Sequence, residues 1–160
     1  MEDFIQFNKS NIINIGIKDE KGNILNGKLT FDLEDVELPL RYQEMLELHK
    51  RNQNDLQHQF IIIDKKKDYK GKKLLTPNTE AKLKALLDYY KKDMKALDLF
   101  LGEGKTQMIL DLMGRKPYYT MFDDFGEMLK PIIPVFERNL DTIDQIITEK
   151  YSMEEENALE

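Results

Sequence analysis

The chain reads as a mainly α protein of the α+β class, a helical body of four to five helices carrying an N-terminal β-hairpin. Three observations point there. A period-two apolar pattern appears near the start, where Ile13, Ile15 and Ile17 alternate with Asn14, Gly16 and Lys18. Beyond Pro39 the apolar spacing changes to three, four and seven, the repeat of one helix face. The composition pairs 41% hydrophobic with 34% charged residues, against roughly 25% charged in an average soluble protein, a balance that favours long amphipathic helices.

The first strand is answered by a second, in which Leu29, Phe31 and Leu33 alternate with Lys28, Thr30 and Asp32. Between them lie Asp19-Glu20-Lys21-Gly22 and Asn26-Gly27, both turn-formers because Gly and Asn tolerate positive φ, so the hairpin has an irregular connection. Two strands alone are marginal in water. Their Ile/Leu/Phe face must therefore cover either this chain's helices or another subunit, and the free hairpin edge offers a route to a homo-oligomer.

Tyr42, Met45, Leu46, His49, Leu56, Phe60 and Ile63 then recur at helical spacing. Phe60-Ile61-Ile62-Ile63 is a β-branched run that alone would suit a strand, but its continuity with the preceding pattern assigns it to the helix. A polar, lysine-rich loop ends the run. Thr76-Pro77-Asn78-Thr79-Glu80 starts the next helix, with Thr as N-cap and Pro at the first helical position, where no donor is needed. Leu83, Leu86, Leu87, Tyr90, Met94, Leu97 and Leu101 make its apolar stripe, and Gly102 and Gly104 stop it.

A short helix is predicted over 106–113, closed by Gly114 and Pro117, and a longer one from Thr120 through Phe122, Phe125, Leu129, Phe136, Leu140, Ile143 and Ile147. Pro131 and Pro134 fall inside that last pattern, so it is either one kinked helix or two. From 152 onward the acidic composition predicts disorder. The chain divides into a hairpin region at 1–36, a helical domain at 37–151 and an acidic tail at 152–160. A length of 160 residues suits one domain.

Lys and Arg number 24 against 30 Asp and Glu, a net charge of −6 that repels a phosphate backbone, so no nucleic-acid partner is expected. With no Cys, disulfides, thiolate metal sites and cysteine nucleophiles drop out, and a reducing compartment is favoured. Met1-Glu2-Asp3-Phe4 lacks the basic start of a signal peptide. The longest apolar runs, such as Phe60 to Ile63, are four residues long, against the roughly 18 that a spanning helix needs. Neither secretion nor membrane insertion is expected.

No catalytic, cofactor or metal site is predicted. Gly102-Glu103-Gly104-Lys105-Thr106 invites comparison with a phosphate-binding loop, but the leading glycine of that pattern would be Leu99 and the preceding element is a helix, not a strand. His49 and His58 have no Cys or third His to complete a transition-metal site and read as structural. Asp123 and Asp124 suit the first turn of a helix, where they complement its dipole; with Glu127 and Glu137 they are weak acid/base candidates among 30 acidic residues. The loop at 64–73, with six lysines and two aspartates, reads as solvated. Tyr118-Tyr119, between Pro117 and Met121-Phe122, suits a core or an interface equally.

The stretch Phe31-Asp32-Leu33-Glu34-Asp35-Val36-Glu37-Leu38-Pro39, the following Tyr42-Gln43, and above all Asp98-Leu99-Phe100-Leu101-Gly102-Glu103-Gly104 resemble the tail assembly chaperones of long-tailed phages and prophages of Gram-positive bacteria. The resemblance runs from about 11 to 151. It implies a non-enzymatic protein of the host bacterial cytoplasm that coats the helical, aggregation-prone tape-measure protein, helps recruit tail-tube subunits and leaves before the tail is finished. Shielding an amphipathic helix needs an apolar groove, for which Tyr90, Met94, Leu97, Leu101, Phe122 and Phe125 are the candidate partner-binding residues. Met94, Met108, Met113, Met121 and Met128 would make such a surface adaptable. The alternative is a permanent virion component, a tail-completion or connector protein whose hairpins pair in a ring.

Overall fold

A computed structural model describes residues 12–116 and 121–151 of the chain. The order is β1 (Ile12–Lys18), β2 (Ile24–Asp32), α1 (Glu37–Asp64), α2 (Pro77–Leu101), α3 (Lys105–Leu112), α4 (Met121–Leu129) and α5 (Ile133–Tyr151). The expected hairpin and helical body are both present, with five helices among the described residues. The 152–160 segment and Tyr118-Tyr119 lie outside those residues.

β1 and β2 pair antiparallel, Ile13 opposite Phe31 and Ile15 opposite Leu29, with an irregularity between Gly16 and Lys18. The connection is one turn, not two. The Asp19 carboxylate accepts the Lys21 and Asn23 backbone N–H groups at 2.9 and 2.8 Å and the Asn23 side-chain amide at 3.0 Å. Those bonds, led by the Asn23 side chain, hold the Asp19 carboxyl below the ordinary range, and Gly22 supplies the positive φ of 82°. Asn26-Gly27, expected to help form the connection, instead lies inside β2. Gly27 has a packing role there: a Cβ at this position would come within 2.5 Å of Leu112 Cδ1 on α3.

The corner from β2 into α1 is tied by charge. Arg41 donates to Asp35 at 2.6 Å and to Glu37 at 3.1 Å, and Asp35 also accepts the Glu37 backbone N–H. These contacts lower the pKa of Asp35, the Arg41 hydrogen bond most of all. Pro39 sits in the first turn, where its missing N–H leaves no bond unmade. The helix then runs unbroken for 28 residues, and the Phe60–Ile63 run belongs to it. Ile63 is buried toward α2 while Ile61 and Ile62 stay exposed, so only part of the β-branched run meets the core.

Thr76 caps α2 as expected, accepting the Thr79 N–H at 3.2 Å, with Pro77 in the first turn. α1 and α2 pack along one another as an antiparallel pair, closed near the connecting loop by an ion pair between Asp64 and Lys82. The proline question resolves as two helices. Pro131 lies in the turn after α4, and Pro134 in the first turn of α5, where a missing donor costs nothing.

The hairpin's inner face covers this chain's own helices. Ile17, Leu29 and Phe31 share one core with Met45, Leu97, Phe100, Ile109 and Phe125, so position 36 marks a change of secondary structure within a continuous core. At its centre Phe100 stacks on Phe31 with centroids 5.0 Å apart and meets Tyr42 and Phe136 edge-on at 5.1 and 5.7 Å. β2, α1, α2 and α5 thus meet at one cluster. α5 has no fully buried residue and reaches the core through the half-buried Phe136.

The Gly27 contact sets a test of the β2–α3 packing. Gly27→Val should destabilise by about 1–3 kcal/mol through overpacking against Leu112, whereas Gly16→Ala, with nothing within 4 Å of its Cβ, should be close to neutral in urea unfolding.

Candidate functional site

The six residues expected to form a partner-binding surface are placed mostly inside. Tyr90, Leu97, Leu101 and Phe125 are buried, and Met94 and Phe122 are half-buried against the same core. The apolar stripe of α2 is buried at Tyr90, Leu97 and Leu101, while Leu83 and Leu87 nearer its start stay exposed. The residues do belong to one region, packed between helices, where Leu97, Phe122 and Phe125 line a small cavity of about 70 Å³.

Within that packing lies a polar centre. Asp93 on α2 is 1% exposed. A carboxylate can only accept, so the His49 Nδ1–H donates to Asp93 Oδ2 at 2.8 Å, and the Asn52 amide donates to Oδ1 at 3.1 Å. Tyr89, one turn earlier on α2, donates its hydroxyl to the same carboxylate; burial pushes the Tyr89 pKa well above the ordinary value of 10.0, and the Asp93 bond adds to the shift. The His49 ring stacks on Phe122 with centroids 3.5 Å apart and planes 7° from parallel, so the network joins α1, α2 and α4. The histidine's structural role was legible in the sequence, but its partners were not. The available signal was an acid at Asp93, inside the apolar stripe between Tyr90 and Leu97.

The Gly-x-Gly turn has a comparable local explanation. Gly102 and Gly104 take positive φ of 111° and 75°. The Asp98 carboxylate reaches across to accept the Gly104 N–H at 3.0 Å and the Thr106 N–H at 2.9 Å. These are the donors that a phosphate at the start of α3 would use, and they are already occupied. Asp98 thus caps α3 from the end of α2. Among the described residues no group of three or more His, Asp or Glu side chains is arranged to hold a metal ion. Asp123 and Asp124 lie in the first turn of α4, and the lysine-rich loop is exposed.

Apolar surface capable of docking occurs elsewhere. A cleft of about 180 Å³ opens where the β2–α1 corner meets α5, lined by Leu33, Leu38, Pro39, Tyr42, Phe136 and Leu140 among others. Its floor is the aromatic cluster, and its rim carries Asp35, Glu137 and Asn139. Asn139 also donates to the Leu33 carbonyl, which fixes α5 against the end of β2. Further out, Leu83 and Leu87 on α2 and Ile146, Ile147 and Tyr151 on α5 are exposed. The sequence marked several of these as apolar but could not show which would remain uncovered. No described helix is long and apolar enough to cross a membrane.

No family model matches the chain, and neither the curated proteins nor the solved structures contain a match.

Two outcomes follow for the buried network. Asp93→Ala should cost about 2–3 kcal/mol, because it strands the His49 and Asn52 donors in the interior; chemical denaturation measures it. Because the Tyr89 pKa is raised on folding, its contribution is present below about pH 10 and is lost as pH rises further, since the unfolded chain releases the proton first. Stability measured above that pH should fall, and Tyr89→Phe should flatten the fall.

Proposed function

We propose that the chain is a non-enzymatic, protein-binding chaperone of phage tail assembly that holds a helix of the tape-measure protein. The observation that carries the reading is the cleft over Tyr42, Phe100 and Phe136, apolar at its floor and open beside α5. A cleft of that kind accepts an apolar anchor from an amphipathic helix while its polar rim orients the rest. The resemblance of Phe31–Pro39 and Asp98–Gly104 to tail assembly chaperones supplies the identity of the partner. Both stretches border this region, since Phe31, Leu33, Leu38 and Phe100 contribute to the cluster or to the cleft wall. Recruitment of tail-tube subunits belongs to the same proposal.

The test is co-expression with the tape-measure protein from the same gene neighbourhood, followed by affinity capture and mass determination. The tape measure should become soluble only with this chain and co-purify with it. Leu140→Asp, at a cleft position 41% exposed, should leave the fold intact and weaken capture about ten-fold or more, the scale of a moderate interface anchor. A tape measure that is never bound, together with this chain in purified mature particles, would replace the chaperone reading with that of a permanent virion component.

A further inference from the structure

The tip of the α1–α2 pair joins positive charge to uncovered apolar side chains. Between Asp64 and Lys73 stand six lysines and two carboxylates, in a chain whose net charge is −6. Both carboxylates are already engaged: Asp64 pairs with Lys82, and Asp68 accepts the Asn78 backbone N–H at 3.2 Å. Glu80, the next acid along α2, pairs with Lys84 at 3.3 Å. The six lysines are exposed. So are Ile61, Ile62, Tyr69, Leu74 and Leu75 at the same tip, with Tyr69 at 68% and Leu74 at 87%.

The loop is held in shape from within. Lys70 donates to the Leu74 carbonyl at 2.9 Å, and the Asn78 side-chain amide donates to the Lys66 carbonyl at 2.9 Å. These bonds fix the loop with Tyr69 and Leu74 in water, where their apolar surface goes unburied. Along both helices the next carboxylates lie well back from this end. Asp55 on α1 and Asp88 on α2 are about 14 and 17 Å of helix from Asp64 and Pro77, beyond the roughly 8 Å screening length at physiological salt, and Asp88 is itself paired with Lys92 at 3.0 Å.

We propose that this tip docks on an anionic lipid surface, its lysines against the headgroup phosphates and Tyr69, Leu74 and Leu75 at the boundary between headgroups and acyl chains. A cluster of this many lysines is the electrostatic signature of such binding. Apolar side chains beside the charges add burial at the interface, where tyrosine is favoured. The residue types select a bilayer over other polyanions. A single-stranded nucleic acid is held by successive aromatic rings and by Arg, and the loop has one ring, Tyr69, and no Arg. An acidic helix of a protein partner needs a groove, whereas this patch is the end of a helix pair, which a flat bilayer can touch alone. The binding is peripheral, since no described helix is long and apolar enough to cross a membrane. It stands apart from the cleft and from the identity of any client.

Flotation of the full chain with phosphatidylcholine vesicles, with and without phosphatidylglycerol, tests it. The wild type should float with the anionic vesicles, stay behind with the neutral ones, and be released near 1 M salt, where the screening length is about 3 Å. Lys67→Ala, Lys72→Ala and Lys73→Ala combined, all at exposed positions, should leave urea unfolding unchanged and weaken binding about 100-fold, since each lysine near an anionic surface contributes roughly a factor of five. The chain has no Trp, so Leu74→Trp provides a single fluorescent reporter. Its emission should shift to the blue with anionic vesicles as the ring leaves water. A wild type that ignores anionic vesicles or floats equally with neutral ones, a folded triple variant that binds undiminished, or a reporter whose emission does not move would each overturn the inference. Capture of a single-stranded oligonucleotide or an acidic peptide through the same lysines, with vesicles left unbound, would assign the tip to that partner instead.

Discussion

Phe100 is the contact on which the arrangement of the other elements depends. Its ring meets Phe31 of β2, Tyr42 of α1 and Phe136 of α5 within 5.7 Å, and Phe31 and Phe136 also touch each other edge-on. A two-stranded hairpin cannot hold itself together in water, and α5 has no buried residue of its own. Both are anchored by the same ring. Offset and edge-on aromatic pairs add roughly 0.5–1.5 kcal/mol each beyond the area they bury, so these contacts supply direction as well as burial. The cleft beside the cluster follows from its geometry, since three rings and the β2–α1 corner cannot close completely around a helix that approaches at one point.

The second constraint is polar. Asp93 lies among apolar neighbours at the seam between α1 and α2, and its carboxylate is served by His49, Asn52 and Tyr89. Sliding α1 along α2 by one turn would carry His49 and Asn52 away and leave the buried carboxylate with only the Tyr89 hydroxyl of its own helix, at a cost above that of an apolar mismatch. The seam formed by Met45, Leu56, Phe60 and Ile63 would tolerate such a slide far better. Asp98 performs a similar service at the other end of α2, where its two bonds to the Gly104 and Thr106 backbone define how α3 departs. The turn motif that most resembles the tail assembly chaperones is therefore also the joint that places α3 over β2, where Gly27 leaves room for Leu112.

These constraints concentrate order at one end of the molecule. The hairpin, α3, α4 and the end of α2 near Leu101 share the core, while the α1–α2 pair extends toward a lysine-rich loop and α5 extends away from Phe136 with Leu140, Ile146, Ile147 and Tyr151 exposed.

The elements themselves were legible in the chain because their signals are local. Alternation around Ile15 and Leu29 marks strands, Thr76-Pro77 marks a helix start, and Pro131 with Pro134 marks a break, a kink or a boundary, in the last apolar pattern. Each depends on backbone sterics within a few residues. Asn26-Gly27 shows the limit of that reading: its composition suits a turn, but Asp19 and Asn23 complete a tighter one first, and α3 needs a residue without a side chain at position 27. The candidate site exposed a deeper limit. Periodicity reveals that Leu97, Leu101, Phe122 and Phe125 lie on apolar faces, but not what covers those faces, because burial depends on elements distant in the chain. Sequence alone determined where the helices and the two strands lie and which faces are apolar, but not that Asn26-Gly27 belongs to β2. Only the tertiary structure decided that helix packing buries Tyr90, Leu97, Leu101 and Phe125 and leaves a cleft at Tyr42 and Phe136 beside α5, because those contacts join elements far apart in the chain.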